Sequence, residues 1–334
     1  MAIIGHWKSL EEANKLQQSV LLAGIVQEIY EQGEILPKFP VLGIDSISIE
    51  WNREKTLPSA DYYSVGEPIP WTADVEYAEK TTFSLKSVVR QDVLDKMMAK
   101  NYRNPNDYKA VMLSQLRKGC MHTIEDGLIY NQPALYPKQF YGLHSLCQSS
   151  MAVDGGETAL SLIKLRRMIN SVKPKPNLLL MSTVLADRFD FAAKFGINSG
   201  STNSWIQSGM IGTSNELGGQ ITTFDGIPIQ RSDYMVAEQA NTGVFAGNQR
   251  LKFANGTSQY SIIAVRFGQI EDGGVCLVLG ADTGGPNFFD VIEFDNLEDY
   301  NAGGLRLVAY CGLAQGSTKS LAVMYDVTDA ALTL

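Results

Sequence analysis

Cys120 and Cys147, with His122 and His144 two and three residues from them, come nearest in type and spacing to nucleophilic chemistry. A histidine beside a cysteine can draw off the thiol proton, but a working pair also needs a third group to orient the imidazole, and the sequence places none. Packing roles are therefore expected for both pairs. The third histidine, His6, and the remaining cysteines, Cys276 and Cys311, stand apart from them. With no C-x-x-C spacing, neither a zinc site nor a redox motif is indicated, and the thiols read as reduced, in a protein made in a cytosol.

Other clusters carry less. Asp290, Glu293, Asp295, Glu298 and Asp299 could face a hard cation, yet their spacing is not that of a calcium loop. Apolar residues alternate among them, so a solvated strand face is expected. Asn255-Gly256-Thr257 spells a glycosylation acceptor in a chain with no sign of secretion. Arg166-Arg167 with Lys173 and Lys175 reads as a solvated helix end that favours the helix dipole. Phosphate-loop, dinucleotide, zinc-protease and serine-hydrolase motifs are absent. No catalytic, cofactor-binding or metal-ligating residue is proposed from the sequence, and no cofactor is expected.

Composition agrees. Hydrophobic residues make up 45% of the 334, enough for a core without metal or disulfide staples, and the length suggests about two domains. A net charge of -8 with no Lys/Arg block argues against a nucleic-acid-binding surface, although an acidic wall suits DNA that must not stick. No apolar run approaches a membrane span and residues 1–30 lack a signal-peptide core, so a soluble chain not secreted by the general route is expected.

The element that must position everything else lies between Asn104 and Leu146. Asn104 can cap a helix, Pro105 suits its first position and Asp107 its first turn. Apolar residues then recur in steps of four, at Tyr108, Met112, Leu116, Cys120, Ile124 and Leu128, with Val111 and Met121 widening the stripe. Lys109, Arg117, Lys118 and Glu125 fall largely off it. The pattern predicts one helix ending near Asn131, because Pro133 cannot continue it, and about 40 Å long. It reads as a spine.

Before it, residues 1–42 read as a helix, capped by Ser9 with Glu12 and stopped at Gly33, then an extended proline-bearing connector. Ile47, Ile49 and Trp51 alternate with Ser46, Ser48 and Glu50, which marks a strand with one buried face, and a return strand is expected at Thr82–Val89. The polar stretch between carries Tyr62, Tyr63, Trp71 and Tyr77 but little from which to build a core. An isolated two-stranded arm is marginal in water, and Tyr and Trp are favoured interface anchors. Either the loop folds back on its own domain or it lies on a neighbouring subunit. Residues 91–103 read as a helical turn or two. After Gly155-Gly156 a compact region is expected: helix 160–172, strand 177–182, helix 183–195 and a Gly/Ser/Asn-rich loop at about 196–218 holding Trp205. A tight hairpin follows at Asp225-Gly226, then strands near 243–247, 259–267, 274–279, 288–294, 305–311 and 320–327. Without regular β–α alternation after residue 195, the class is α+β.

This order of parts resembles the tailed-bacteriophage major capsid proteins of the Hong Kong 97 type. EDGLIYNQPALYPKQFYGLHSL resembles the end of that family's spine helix, and TALSLIKLRRMINSVKPKPNLLLMSTVLADRF the opening of its axial domain. GGQITTFDGIPIQRSDYM is similar to that domain's hairpin, and LRLVAYCGLAQGSTKSLAVMYDV to the closing pair of strands. The likeness is weakest at 1–40 and 196–218. It implies an N-terminal arm (1–42), an extended hairpin loop (43–90), a peripheral domain with the spine (91–153 and about 301–315) and an axial domain (154–300 and about 316–334). Trp51, Tyr62, Tyr63, Trp71, Tyr77 and Trp205 become the candidate subunit-interface residues. The arm would reach a further neighbour and the 196–218 loop would sit near the capsomer centre.

The function it implies is a structural one. The chain would self-assemble, as hexamers and pentamers, into the icosahedral shell of a virion put together in the host cytoplasm. That shell would enclose double-stranded DNA without sequence-specific binding, with no membrane and with scaffold, portal and decoration proteins as further partners. No scaffolding segment precedes the arm, which implies a separate scaffold or none. The Lys–Asn crosslinking of some relatives matches no particular positions and is not carried over. Two alternatives stay open: an encapsulin-type nanocompartment shell, and a soluble α/β enzyme with a lid hairpin.

Overall fold

A turn at Leu36–Lys38 leads into strand β1 (Val41–Ile44), then the hairpin pair β2 (Ser48–Glu54) and β3 (Ala78–Ser84), and then β4 (Lys86–Asp95). The computed structural model describes residues 35–69, 76, 78–95, 108–195, 211–213, 221–240, 250–252, 259–282, 285–286, 288–296 and 301–333. The expected N-terminal helix, the strand near 243–247, Asn255, Glu298 and Asp299 lie outside them.

The spine is helix α1 (Tyr108–Tyr130). Met112, Leu116, Cys120, Ile124 and Leu128 are all buried, as steps of four on one face require. Glu125, expected to fall largely off that face, is buried too, and its Oε2 accepts the Ile35 N–H at 3.4 Å. The polar side chain is tolerated inside because a backbone donor meets it. The helix stops where Asn131 N–H still reaches the Gly127 carbonyl, while the Asn131 carbonyl takes the Gly142 N–H. Short helix α2 (Leu143–Leu146) follows.

Beyond it come β5 (Ala152–Ser161), α3 (Leu162–Ser171), β6 (Leu178–Ser182) and α4 (Thr183–Phe195). Strands β7 (Ile211–Thr213), β8 (Ile221–Phe224), β9 (Ile227–Ser232), β10 (Glu238–Ala240), β11 (Arg250–Lys252) and β12 (Gln259–Val265) come next. Then follow β13 (Val275–Asp282), β14 (Gly285–Pro286), β15 (Asp290–Phe294), β16 (Ala302–Gln315) and β17 (Leu321–Thr333). The β8–β9 turn is Asp225-Gly226, both at positive φ (54° and 76°), the conformation of a two-residue hairpin turn.

Two larger sheets result. In one, β16 is central: β4 runs antiparallel along one edge, β15 and then β13 along the other, and β1 lies parallel to β13. Residues 91–95 therefore continue a strand rather than opening a helix. Within β13, Val275–Leu279 pair with β16. In the other sheet, β12 lies between β6 and β17, and β17 runs parallel to β5. β6 (LLLMS) is buried at every position, as a strand covered on both faces must be.

One apolar cluster spans both sheets. Leu277, Leu279 and Leu313 from the first share it with Leu179, Ile263 and Val323 from the second. Burying each such side chain stabilises by about 2 kcal/mol. The chain crosses between the sheets once along its closing strands, at Gly316–Ser320 between β16 and β17.

Candidate functional site

Strands β2 and β3 form a two-stranded arm in register from Ser48↔Ser84 to Glu54↔Ala78. The return strand ends at Ser84, earlier than the alternation Thr82–Val89 suggests. At that point the Leu85 N–H bonds the Ile47 carbonyl and the chain turns into β4. Alternate residues of the arm face the body. Ile49, Trp51, Phe83 and Leu85 pack against the buried Cys276, Val278 and Ala314, with Leu42, Ile44 and Ile270 beside them. The Trp51 indole stacks on Phe83 (centroids 5.3 Å, 14°), and Phe83 meets Tyr141 edge-on (5.4 Å, 75°). Trp51 Nε1 is buried and has no acceptor among the described residues.

Further out the chain is exposed. Every described residue from Glu54 to Ile69 is exposed. Tyr62 and Val65 are fully exposed, Leu57 is 71% and Ile69 68% exposed, and Tyr63 is also accessible. The tip is nonetheless shaped. A turn at Ser64–Glu67 is closed by Glu67 N–H to the Ser64 carbonyl (3.1 Å) and by Ser64 N–H to Glu67 Oε2 (2.9 Å). Along the outer face Lys80 pairs with Glu50 and Lys55 with Glu76. Their lysine partners hold Glu50 and Glu76 below the usual carboxylate range. Exposed pairs of this kind add little stability and are screened by salt.

Of the sequence candidates, Trp51 thus sits at the root of the arm against its own body, and Tyr62 and Tyr63 at the bare tip. Trp71, Tyr77 and Trp205 lie outside the described residues. Leu57, Val65 and Ile69 join Tyr62 and Tyr63 at the tip, and apolar side chains in a polar stretch are the sequence signal that marks them.

The thiol–imidazole pairs do not form. His122 Nδ1 lies 2.6 Å from the Tyr234 hydroxyl, and His144 Nε2 lies 3.3 Å from Glu238 Oε1, close enough for an ion pair but not aligned for a hydrogen bond. Burial pushes Cys147 and Cys311 up to about 12 and Cys276 up to about 11, which leaves them protonated and poor nucleophiles. Glu238 is wholly buried and also accepts from Tyr130 (2.7 Å) and Ser261. Burial alone would raise its pKa, but His144 together with the Ser261 and Tyr130 hydroxyls outweighs this and holds it below the usual range. This cluster ties α1 and α2 to β10 and β12. Lys175 donates to the Asp225 carbonyl (2.7 Å), so the basic helix end braces a turn. In strand β15 Asp290 and Glu293 are both exposed but lie on opposite faces, and Ile292 and Phe294 are exposed beside Asp290, so the carboxylates do not gather on one solvated face. Among the described residues no group of His, Cys, Asp and Glu is arranged to hold a metal ion, and no helix is long and apolar enough to cross a membrane.

A long spine helix, two sheets joined by one closing pair of strands and a projecting two-stranded arm define a Hong Kong 97-type fold. Solved structures similar to this chain support that fold. The holo-SrpI encapsulin complex of Synechococcus elongatus PCC 7942 superposes with a TM-score of 0.66 and 16% identity over 98% of both chains. The capsid of an empty GTA particle gives 0.64 and 10%, over 95% of this chain and 97% of that one. A chain from Mycobacterium phage Bobi gives 0.57 and 15%, over 95% and 97%. No protein-family model matches the sequence, and no curated protein matches it. At these identities the likeness is one of fold.

Proposed function

We propose that the chain is a major capsid protein. Its copies self-assemble into the icosahedral shell of a tailed bacteriophage, enclosing double-stranded DNA without reading its sequence. One observation carries the reading: an arm rooted in its own body ends in a shaped tip whose apolar side chains, Leu57, Tyr62, Val65 and Ile69, are exposed among the described residues. Such a tip gains by being covered, and a second copy is always at hand. Tip and arm together burying on the order of 1,500 Å² would make a specific interface, and repetition through hexamers and pentamers would turn modest contacts into a stable shell. The sheet of β16 with α1 then forms the peripheral part and the sheet of β12 the axial part. Scaffold, portal and decoration proteins are further partners of such a shell, and its place is the virion, assembled in the host cytoplasm.

The likeness to an encapsulin over nearly the whole of both chains favours a second reading, a nanocompartment shell around protein cargo. Electron microscopy and sedimentation of the expressed protein test both readings: capsomers or megadalton particles are expected, and a compact monomer at high concentration overturns them. Particles recovered from the native source then separate the two. Nuclease-protected DNA supports the capsid, and a co-purifying enzyme inside the shell supports the nanocompartment.

A further inference from the structure

Arg53 continues the alternation of Ile49 and Trp51 on the body-facing side of β2, one step further out. Its Nε donates to the Gly316 carbonyl at 3.0 Å and its Nη2 to the Gln315 carbonyl at 2.7 Å. Those two carbonyls stand where the chain leaves the sheet of β16 for the sheet of β17. The crossing is itself fixed. Gly316 N–H bonds the Gly274 carbonyl (2.9 Å) and Ser317 N–H the Gly273 carbonyl (3.2 Å). A Cβ on Gly316 would come within 2.4 Å of the Ile270 carbonyl oxygen, so only glycine allows this approach. The buried Gln315 amide bonds the Ser320 hydroxyl at 3.3 Å. Glu79 stands opposite Arg53 in the arm and offsets its charge.

The apolar contacts at the root of the arm are non-directional and allow it to tilt. A planar guanidinium holding two carbonyls is directional. We propose that Arg53 is a positioning residue, a clamp that fixes the tilt of the arm against the junction of the two sheets and so the curvature of the shell. The curvature half rests on the shell reading; the tilt half does not.

The test compares wild type with Arg53→Met and Arg53→Lys. Spin labels at Val65→Cys and Ile163→Cys, both exposed sites, report the arm–body distance in unassembled protein, the native cysteines being buried. Particle diameters come from electron microscopy. Arg53→Met should broaden the distance distribution, lowering the population at the wild-type distance about tenfold relative to other tilts, the loss expected for a charge-assisted hydrogen bond. Its particles should lose their single diameter. Arg53→Lys, which keeps charge but not the fork, should fall between. A merely stabilising residue would shift the melting temperature without moving the distance. An unchanged distribution in Arg53→Met overturns the clamp whether or not particles form. A broadened distribution with one unchanged diameter overturns the link to curvature. Broadening in a protein whose wild type forms no particles overturns the shell reading and leaves the clamp standing.

Discussion

The root and the tip of the arm use the same kinds of side chain for opposite ends. At the root, Trp51 lies on Phe83 above Cys276, Val278 and Ala314. At the tip, Tyr62 and Val65 are bare. Among the described residues, the last contact of β2 with the body is that of Arg53. Aromatic content therefore does not distinguish an anchor from a core residue; distance along a strand from the last supporting surface does.

Substitutions can break or sharpen that contrast. The largest effect lies in the body that supports the root. Glu238→Ala should destabilise the protein by about 3–4 kcal/mol in urea unfolding, because it strands the Tyr130 and Ser261 hydroxyls without their acceptor and removes the carboxylate beside His144. Trp51→Ala should follow, at about 3 kcal/mol. Trp51→Phe should be near neutral, since it keeps a ring on Phe83 and removes a buried donor that has no acceptor among the described residues. A loss below about 0.5 kcal/mol for Trp51→Ala would mean that the root is not a root.

At the tip the readout changes. Tyr62→Ala should alter subunit stability by less than about 0.5 kcal/mol. It should nonetheless raise the concentration needed for assembly about thirtyfold, the effect of removing a 2 kcal/mol interface anchor. Equal assembly of wild type and Tyr62→Ala would leave the tip without a partner.

The smallest effect concerns the carboxylates. Glu238, Glu50 and Glu76 are all held below the usual range. Each therefore supports the fold above its unfolded pKa near 4.5, and that support is lost as pH falls through the lower folded value. Salt of about 1 M should return Glu50 and Glu76 towards ordinary values, because exposed pairs are screened, and leave buried Glu238 in place. Carboxyl NMR titrations at two salt concentrations distinguish them.

Much of this was written locally. The steps of four from Met112 to Leu128 and the Asp225-Gly226 turn needed only a helical period and a turn rule, and Ile49 and Trp51 declared the body-facing side of β2. What stayed hidden depends on partners far along the chain. Glu125 reads as a surface residue until Ile35, ninety positions earlier, brings its N–H. Strand β5 contains Gly155-Gly156, which spells a break, yet it lies parallel to β17 through an irregular register. β4 reads past Val89 as a helical start because only pairing with β16 makes it a strand. Arg53 carried the right alternation, but the carbonyls that receive it belong to Gln315 and Gly316, and no rule of spacing joins them.

The seat of β17, between β12 and β5, has a consequence for how the molecule comes into being. Every other strand described here leaves the ribosome earlier, so the newborn chain carries a vacant slot through its second sheet, with unpaired backbone along both sides. Until β17 slides in, the sheet can be completed by the β17 of another copy, a danger that grows with the concentration of unfinished chains.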